Sequence, residues 1–230
     1  MNQVANNQPD YLGHRKRLRQ RFLKGGEEGV ADYELLELIL AAAKPRGDLK
    51  PLAKRLLRQF KNFSGVVNAE TQELLTVPEM GEACVAALKV IQIASQKFLR
   101  EQIVKRPLMQ CWNEVVDYCK ISMSYLKKEQ VRLLFLDRQN QLIADEIQNI
   151  GTVDHAPIYT REIVEKALTL GASALILVHN HPSGDPTPSK ADIVATRSIQ
   201  AALEKLGIQL HDHLIIGKGQ HLSFKSQGLL

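Results

Sequence analysis

A chain of 230 residues is long enough for two domains, and 44% hydrophobic against 24% charged residues is a globular balance rather than a disordered one. The formal net charge of +5 is unevenly placed, with +6 in residues 1–106 and −1 in residues 107–230. The longest apolar patch, residues 35–43, is interrupted by Glu37 and far too short to span a bilayer, so no membrane partner is expected.

Residues 1–10 are rich in Asn and Gln and are expected to form a disordered tail. The charge excess is concentrated just after it, in His14, Arg15, Lys16, Arg17, Arg19, Arg21 and Lys24. Such a cluster can neutralise phosphates, which allows DNA as a partner through residues 14–24; the usual fate of such a charge run is a solvated helix face. Leu35, Leu36, Leu38, Ile39 and Leu40 give a first apolar helix face. Leu52, Ala53, Leu56, Leu57 and Phe60 give a second, opposite Lys54, Arg55 and Arg58, and Val85, Leu88, Ile91, Ile93 and Leu99 mark a third. The pattern predicts a helical domain over 11–102, a linker over 103–111 and a second domain over 112–230.

In that second domain helices are predicted at 113–123, 161–170 and 190–206. Strands are predicted at 131–137, 142–148, 174–180, 208–216 and 222–224, with a turn at 137–141. Strands alternating with helices around one sheet make this an α/β domain. Cys84, Cys111 and Cys119 are odd in number and show no paired spacing. They read as reduced thiols, and with no secretory-leader pattern the expected location is cytoplasmic.

The densest chemistry is His179-Asn180-His181-Pro182, followed by Ser189 and Asp192. Residues 174–178 are apolar and β-branched, so they read as a buried strand, and residues two apart on a strand share a face. His179 and His181 therefore look the same way, with Asn180 turned from them. The Pro- and Gly-containing stretch 182–188 ends the strand, and a helix starts near Ser189 with Asp192 in its first turn. Two imidazoles and one carboxylate are the ligand count of a catalytic zinc, which leaves a fourth position for water. Ser189 and Asp192 also fit a helix N-cap with its acid at the third position, and the two readings are compatible.

The pattern His-x-His-Pro, six residues, Ser, two residues, Asp resembles the JAMM (MPN-type) metalloprotease signature. The wider string 178–192, the segment 151–159 with Arg161 and Glu162, and residues 212–217 resemble bacterial RadC proteins, and the likeness runs from about residue 10 onward. It implies an MPN/JAB-like mixed-sheet α/β domain holding Zn2+ through His179, His181 and Asp192. It places Glu129, just ahead of an early strand, as the general base, with Glu146 as the fallback. Ser189 would support the oxyanion of the attacked carbonyl. His213 is read as a packing or supporting residue. His211 shares its strand face and is read as exposed, and His155 as a loop residue near the cleft. For the helical domain the likeness implies a helix-hairpin-helix fold. Its hairpin, near residues 75–83, has Glu79 where the usual form has glycine, so it is degenerate as a phosphate cradle.

The leading expectation is a zinc hydrolase of the metallopeptidase or isopeptidase type acting on a peptide or protein substrate. The alternative is a non-enzymatic DNA-repair accessory or DNA-binding protein with a structural metal. A zinc deaminase would need His-x-Glu and Pro-Cys-x-x-Cys, and neither is present.

Overall fold

The computed structural model describes residues 10–104, 106–150 and 158–230. The chain divides into two compact units, Met1–Ala94 and Ser95–Leu230. The tail expected over residues 1–10 lies, but for Asp10, outside the described residues, as does His155.

The first unit is helical. It contains α1 (Asp10–Gly25), α2 (Asp32–Ala43), α3 (Lys50–Phe60), two short helices, α4 (Phe63–Asn68) and α5 (Thr71–Leu75), and the start of α6 (Glu82–Val104). Proline in the first turn of α3 needs no amide partner there, and Asn62 caps α4 by accepting from Gly65 N at 2.7 Å. The core is leucine-rich, with Leu36, Leu40, Leu52, Leu56, Leu74 and Leu88 fully buried. Glu37, the residue that breaks the apolar run of α2, is also buried, and its carboxylate lies 3.2 Å from His14 Nε2. Arg21 pairs with Glu34, and Arg15 donates to the carbonyls of Pro45 and Gly47. Part of the basic cluster is therefore spent inside the unit, while Lys16, Arg17, Arg19 and Lys24 remain exposed.

Between α5 and α6, Glu79 adopts φ +75, the left-handed conformation that glycine adopts without strain. Its carboxylate is 3.3 Å from Arg55, whose guanidinium also donates to the Pro78 carbonyl. The turn is thus closed by a side-chain clasp.

The second unit follows a mixed α/β plan. Its elements are α7 (Trp112–Met123), β1 (Gln130–Leu136), β2 (Leu142–Ile150), α8 (Thr160–Leu170), β3 (Ala174–Asn180), α9 (Lys190–Glu204), β4 (Gln209–Ile216) and β5 (His221–Ser223). The stretch read as a linker, 103–111, holds the end of α6 and a 3-10 turn at Leu108–Gln110. The sheet order is β2-β1-β3-β4-β5, antiparallel except for the β3–β4 pair. That single parallel pair needs a crossover, which α9 supplies.

Strand alternation divides the core. Leu134, Leu136, Ile176, Val178, Leu214 and Ile216 pack with α7. Val131, Leu133, Phe135, Leu175 and Leu177 pack with α8 and α9. His179 continues the second row, so it emerges on the α8/α9 face at the end of a strand buried along its length.

The expected pairing of His211 with His213 on one face is corrected. The β3–β4 register slips between Leu175 and Ile176, whose partners are Leu210 and Asp212, leaving His211 as the extra residue of a bulge. His211 turns to Asn140 Oδ1 at 2.6 Å. It is also buried rather than exposed, at 9%.

Candidate metal centre

The site forms where β3 ends, its following loop turns, and α9 begins. His179 Nε2 and His181 Nε2 are 2.9 Å apart. Asp192 presents Oδ1 to His179 at 3.4 Å and Oδ2 to His181 at 3.6 Å. Among the described residues these three form the group of His, Cys, Asp or Glu whose donors converge, all within 4.8 Å. Zinc bonds of about 2.0–2.1 Å at tetrahedral angles set neighbouring donors roughly 3.3 Å apart, so the spacing fits such an ion.

Hydrogen bonding fixes which nitrogens face inward. His181 Nδ1 lies 2.8 Å from the Asp185 carbonyl, which can only accept, so Nδ1 carries the proton and a neutral His181 offers a lone pair at Nε2. A longer chain does the same for His179. Thr196 Oγ1 donates to the Asp192 carbonyl at 2.6 Å, one turn back in α9. Its single proton is thereby used, so it accepts from His213 Nδ1 at 2.6 Å. His213 Nε2 then accepts from His179 Nδ1 at 2.7 Å, leaving His179 Nε2 unprotonated. Phe224 stacks on His213 with ring centroids 4.4 Å apart and holds its plane. Two lone pairs and a carboxylate aimed at one point suit a cation.

The electrostatics agree. Burial pushes His179 down to about 4, against the pull of the Asp192 charge, and burial keeps His213 well below its ordinary value. Both are neutral rings at neutral pH. His181 moves upward, chiefly through its contact with Asp192 and also through the charge of Glu129. Burial alone would raise the Asp192 carboxyl, but His181, the His179 charge and Ser189 together hold it well below the usual carboxylate range.

Asp192 is held by the start of α9. Ser189 N and Ser189 Oγ both donate to its Oδ2 at 2.7 Å, and Asp192 N donates back to Ser189 Oγ at 3.1 Å. This is a reciprocal capping box at a helix end that favours negative charge. Ser189 is therefore the N-cap, with its hydroxyl proton on the Asp192 carboxylate.

The loop carrying Asp185 is fastened to the one after β4. His181 N donates to the Ile216 carbonyl at 2.9 Å, and Lys218 N and the Gln220 side chain donate to the Gly184 carbonyl at 3.2 Å. Gly217 is required there, since a Cβ on it would lie 2.2 Å from Gly184 O.

Glu129 immediately precedes β1. The β1–β3 pairing ends at Val131 opposite His179, two residues after Glu129, and the Glu129 charge is felt at His181. Glu146 is elsewhere: it lies on the edge strand β2, opposite Leu133, and pairs with Lys166 of α8 at 2.9 Å. The residues that sequence reasoning passed over are Thr196 and the Asp185 carbonyl, whose roles depend on tertiary placement.

Residues 109–229 match the family described as RadC-like JAB domain. A UPF0758 protein of Rhodobacter capsulatus is 56% identical over 93% of this chain and all of the relative. The chain belongs to the RadC family. A second UPF0758 protein, from Ruegeria pomeroyi, is 50% identical over 96% of the chain and again over its whole length. These alignments extend the likeness well beyond the JAB domain into the helical unit. Among the described residues no helix is long and apolar enough to cross a membrane, and Cys84, Cys111 and Cys119 are free and buried.

Proposed function

We propose that the second unit is a zinc-dependent hydrolase of amide bonds, metallopeptidase- or isopeptidase-like, acting on a peptide or protein substrate in the cytoplasm. The observation that carries this is the convergence of two imidazole Nε2 atoms and one carboxylate, with both Nδ1 atoms committed elsewhere. His179, His181 and Asp192 would hold the ion. A divalent ion held there supplies Lewis acidity, polarising a carbonyl and acidifying water. Three protein donors leave coordination open for that purpose, whereas a structural site would be closed by a fourth.

Glu129, whose charge is felt at His181, takes the proton of the attacking water and returns it to the departing amine. Ser189 assists the oxyanion of the attacked carbonyl by exchanging the partner of its hydroxyl proton, now Asp192 Oδ2. The test is elemental analysis of the full chain, then incubation of the zinc-loaded protein with a mixture of synthetic peptides and ε-linked lysine isopeptides. About one zinc per chain is expected, with cleavage that Glu129→Gln lowers at least about 100-fold while retaining the metal. Zinc-free protein, or cleavage equal in Glu129→Gln, overturns the assignment.

A DNA-associated role rests on the exposed Lys16, Arg17, Arg19 and Lys24 of α1. Duplex binding by the full chain should weaken steeply with salt, and replacing these four residues by Gln should flatten that slope. A slope unaltered by the replacement removes α1 as the contact.

A further inference from the structure

Asn180 separates the two histidines in sequence and turns to the opposite side of β3, where it is 1% exposed. Its side chain is fully employed on one segment. Oδ1 accepts from Gln130 N at 2.9 Å, while Nδ2 donates to the Lys128 carbonyl at 3.2 Å and the Leu126 carbonyl at 3.5 Å. The Lys128 carbonyl belongs to the peptide before Glu129, and the Gln130 amide to the peptide after it. Both peptide planes that flank the Glu129 Cα are therefore pinned by one side chain.

This matters because the β1–β3 ladder ends at Val131 and His179. Beyond that point the main chain of His181 has left for β4, donating to Ile216. β1 stays paired with β2 as far as Gln130, so it is on the β3 side alone that the segment entering β1 lacks a backbone rung. The Asn180 amide, offering one acceptor and two donors, extends the pairing by side chain where the backbone no longer can.

We infer that Asn180 is a positioning residue: it ties the direction of Glu129 to the His179 and His181 ligands by bracketing residue 129 with hydrogen bonds from between them. This rests on the reading of Glu129 as the base. A three-residue unit thus sends its outer side chains to the metal and its middle one to the base. The separation of base and ligands is then set by one rigid strand end rather than by two independent loops. Aspartate keeps the acceptor for Gln130 but turns lone pairs toward the Lys128 and Leu126 carbonyls. Alanine removes all three bonds.

The experiment uses the zinc-loaded full chain and has two readouts. The first is amide hydrogen exchange of Gln130. It should accelerate at least about tenfold in Asn180→Ala, with zinc remaining near one per chain. The second is cleavage of the peptide and isopeptide mixture by wild type, Asn180→Ala, Glu129→Gln and the double variant. Asn180→Ala should lower kcat by about 10- to 100-fold with KM within about twofold, and should add less than about twofold in the Glu129→Gln background. Unchanged Gln130 exchange overturns the clamp. So does an equal loss of rate in the Glu129→Gln background, which would mark a merely structural role. Should Asn180→Ala fail to fold, Asn180→Asp takes its place, with Gln130 still protected and kcat still reduced; full activity of that variant counts against the inference. A wild-type chain that binds zinc and cleaves nothing removes the hydrolase reading, and Gln130 exchange then judges the clamp alone.

Discussion

His213 Nε2 accepts the Nδ1 proton of His179 across 2.7 Å, and this bond leaves His179 Nε2, on the neighbouring strand, unprotonated toward His181 and Asp192. The imidazole of His213 is anchored in turn by Thr196 and by the face of Phe224. His213→Phe keeps the stacking and removes the acceptor. Zinc affinity should fall about 10- to 100-fold, the usual effect of losing an outer-shell partner. Competition against a chromogenic chelator measures it, and an affinity within twofold of wild type would contradict the arrangement.

Metal uptake should release a proton. In the metal-free chain His181 titrates above its ordinary value, largely because of Asp192, and its Nδ1 is already a donor to Asp185. The proton it gains therefore sits on Nε2, where the metal must go. Lowering pH through the raised His181 pKa fills that position, so affinity falls as pH falls. His179, at about 4, adds a further loss only in strong acid. Titration calorimetry in buffers of different ionisation heat should show proton release on binding that diminishes as pH rises; no buffer dependence would exclude this competition.

Ser189→Ala removes the N-cap of α9 and two contacts that orient Asp192. The expected cost is about 0.5–2 kcal/mol in urea unfolding of the metal-free chain. A change of less than about 0.3 kcal/mol would mean that water replaces the hydroxyl as a cap.

Gly217→Ala places a Cβ 2.2 Å from the Gly184 carbonyl, a backbone atom that cannot swing aside. Separating the two loops should cost about 1–3 kcal/mol and also weaken zinc binding, since Asp185, which fixes His181, lies on the displaced loop. Thermal unfolding with and without zinc distinguishes the effects. A Tm equal to wild type would show that the loops part without penalty.

Much of the centre was legible in local sequence because its spacing is local. A run of five apolar residues before His179 specifies a strand, alternation aligns His179 with His181, and Ser189 with Asp192 spells a capped helix start. The helix and strand spans of the second unit followed from the same periodicities to within a few residues. Other features depend on which strands meet. Glu129 precedes β1, whose pairing with β3 brings Val131 opposite His179 from far along the chain, and only the family likeness pointed to it. The bulge at His211 arises from a slip between paired strands, so simple alternation placed it on the wrong face. His14 and Glu37 gave no signal because their pairing joins two helices.

The carboxylate of Asp192 closes the first turn of α9 and also faces both imidazoles. A cation bound there would link chelation to melting: stripping it would leave the negative charge supported only by the cap and the rings, while ordering that turn would prepare the site for uptake. Free zinc concentration should therefore act as a thermal stabiliser of this unit, raising Tm steadily with the logarithm of the excess.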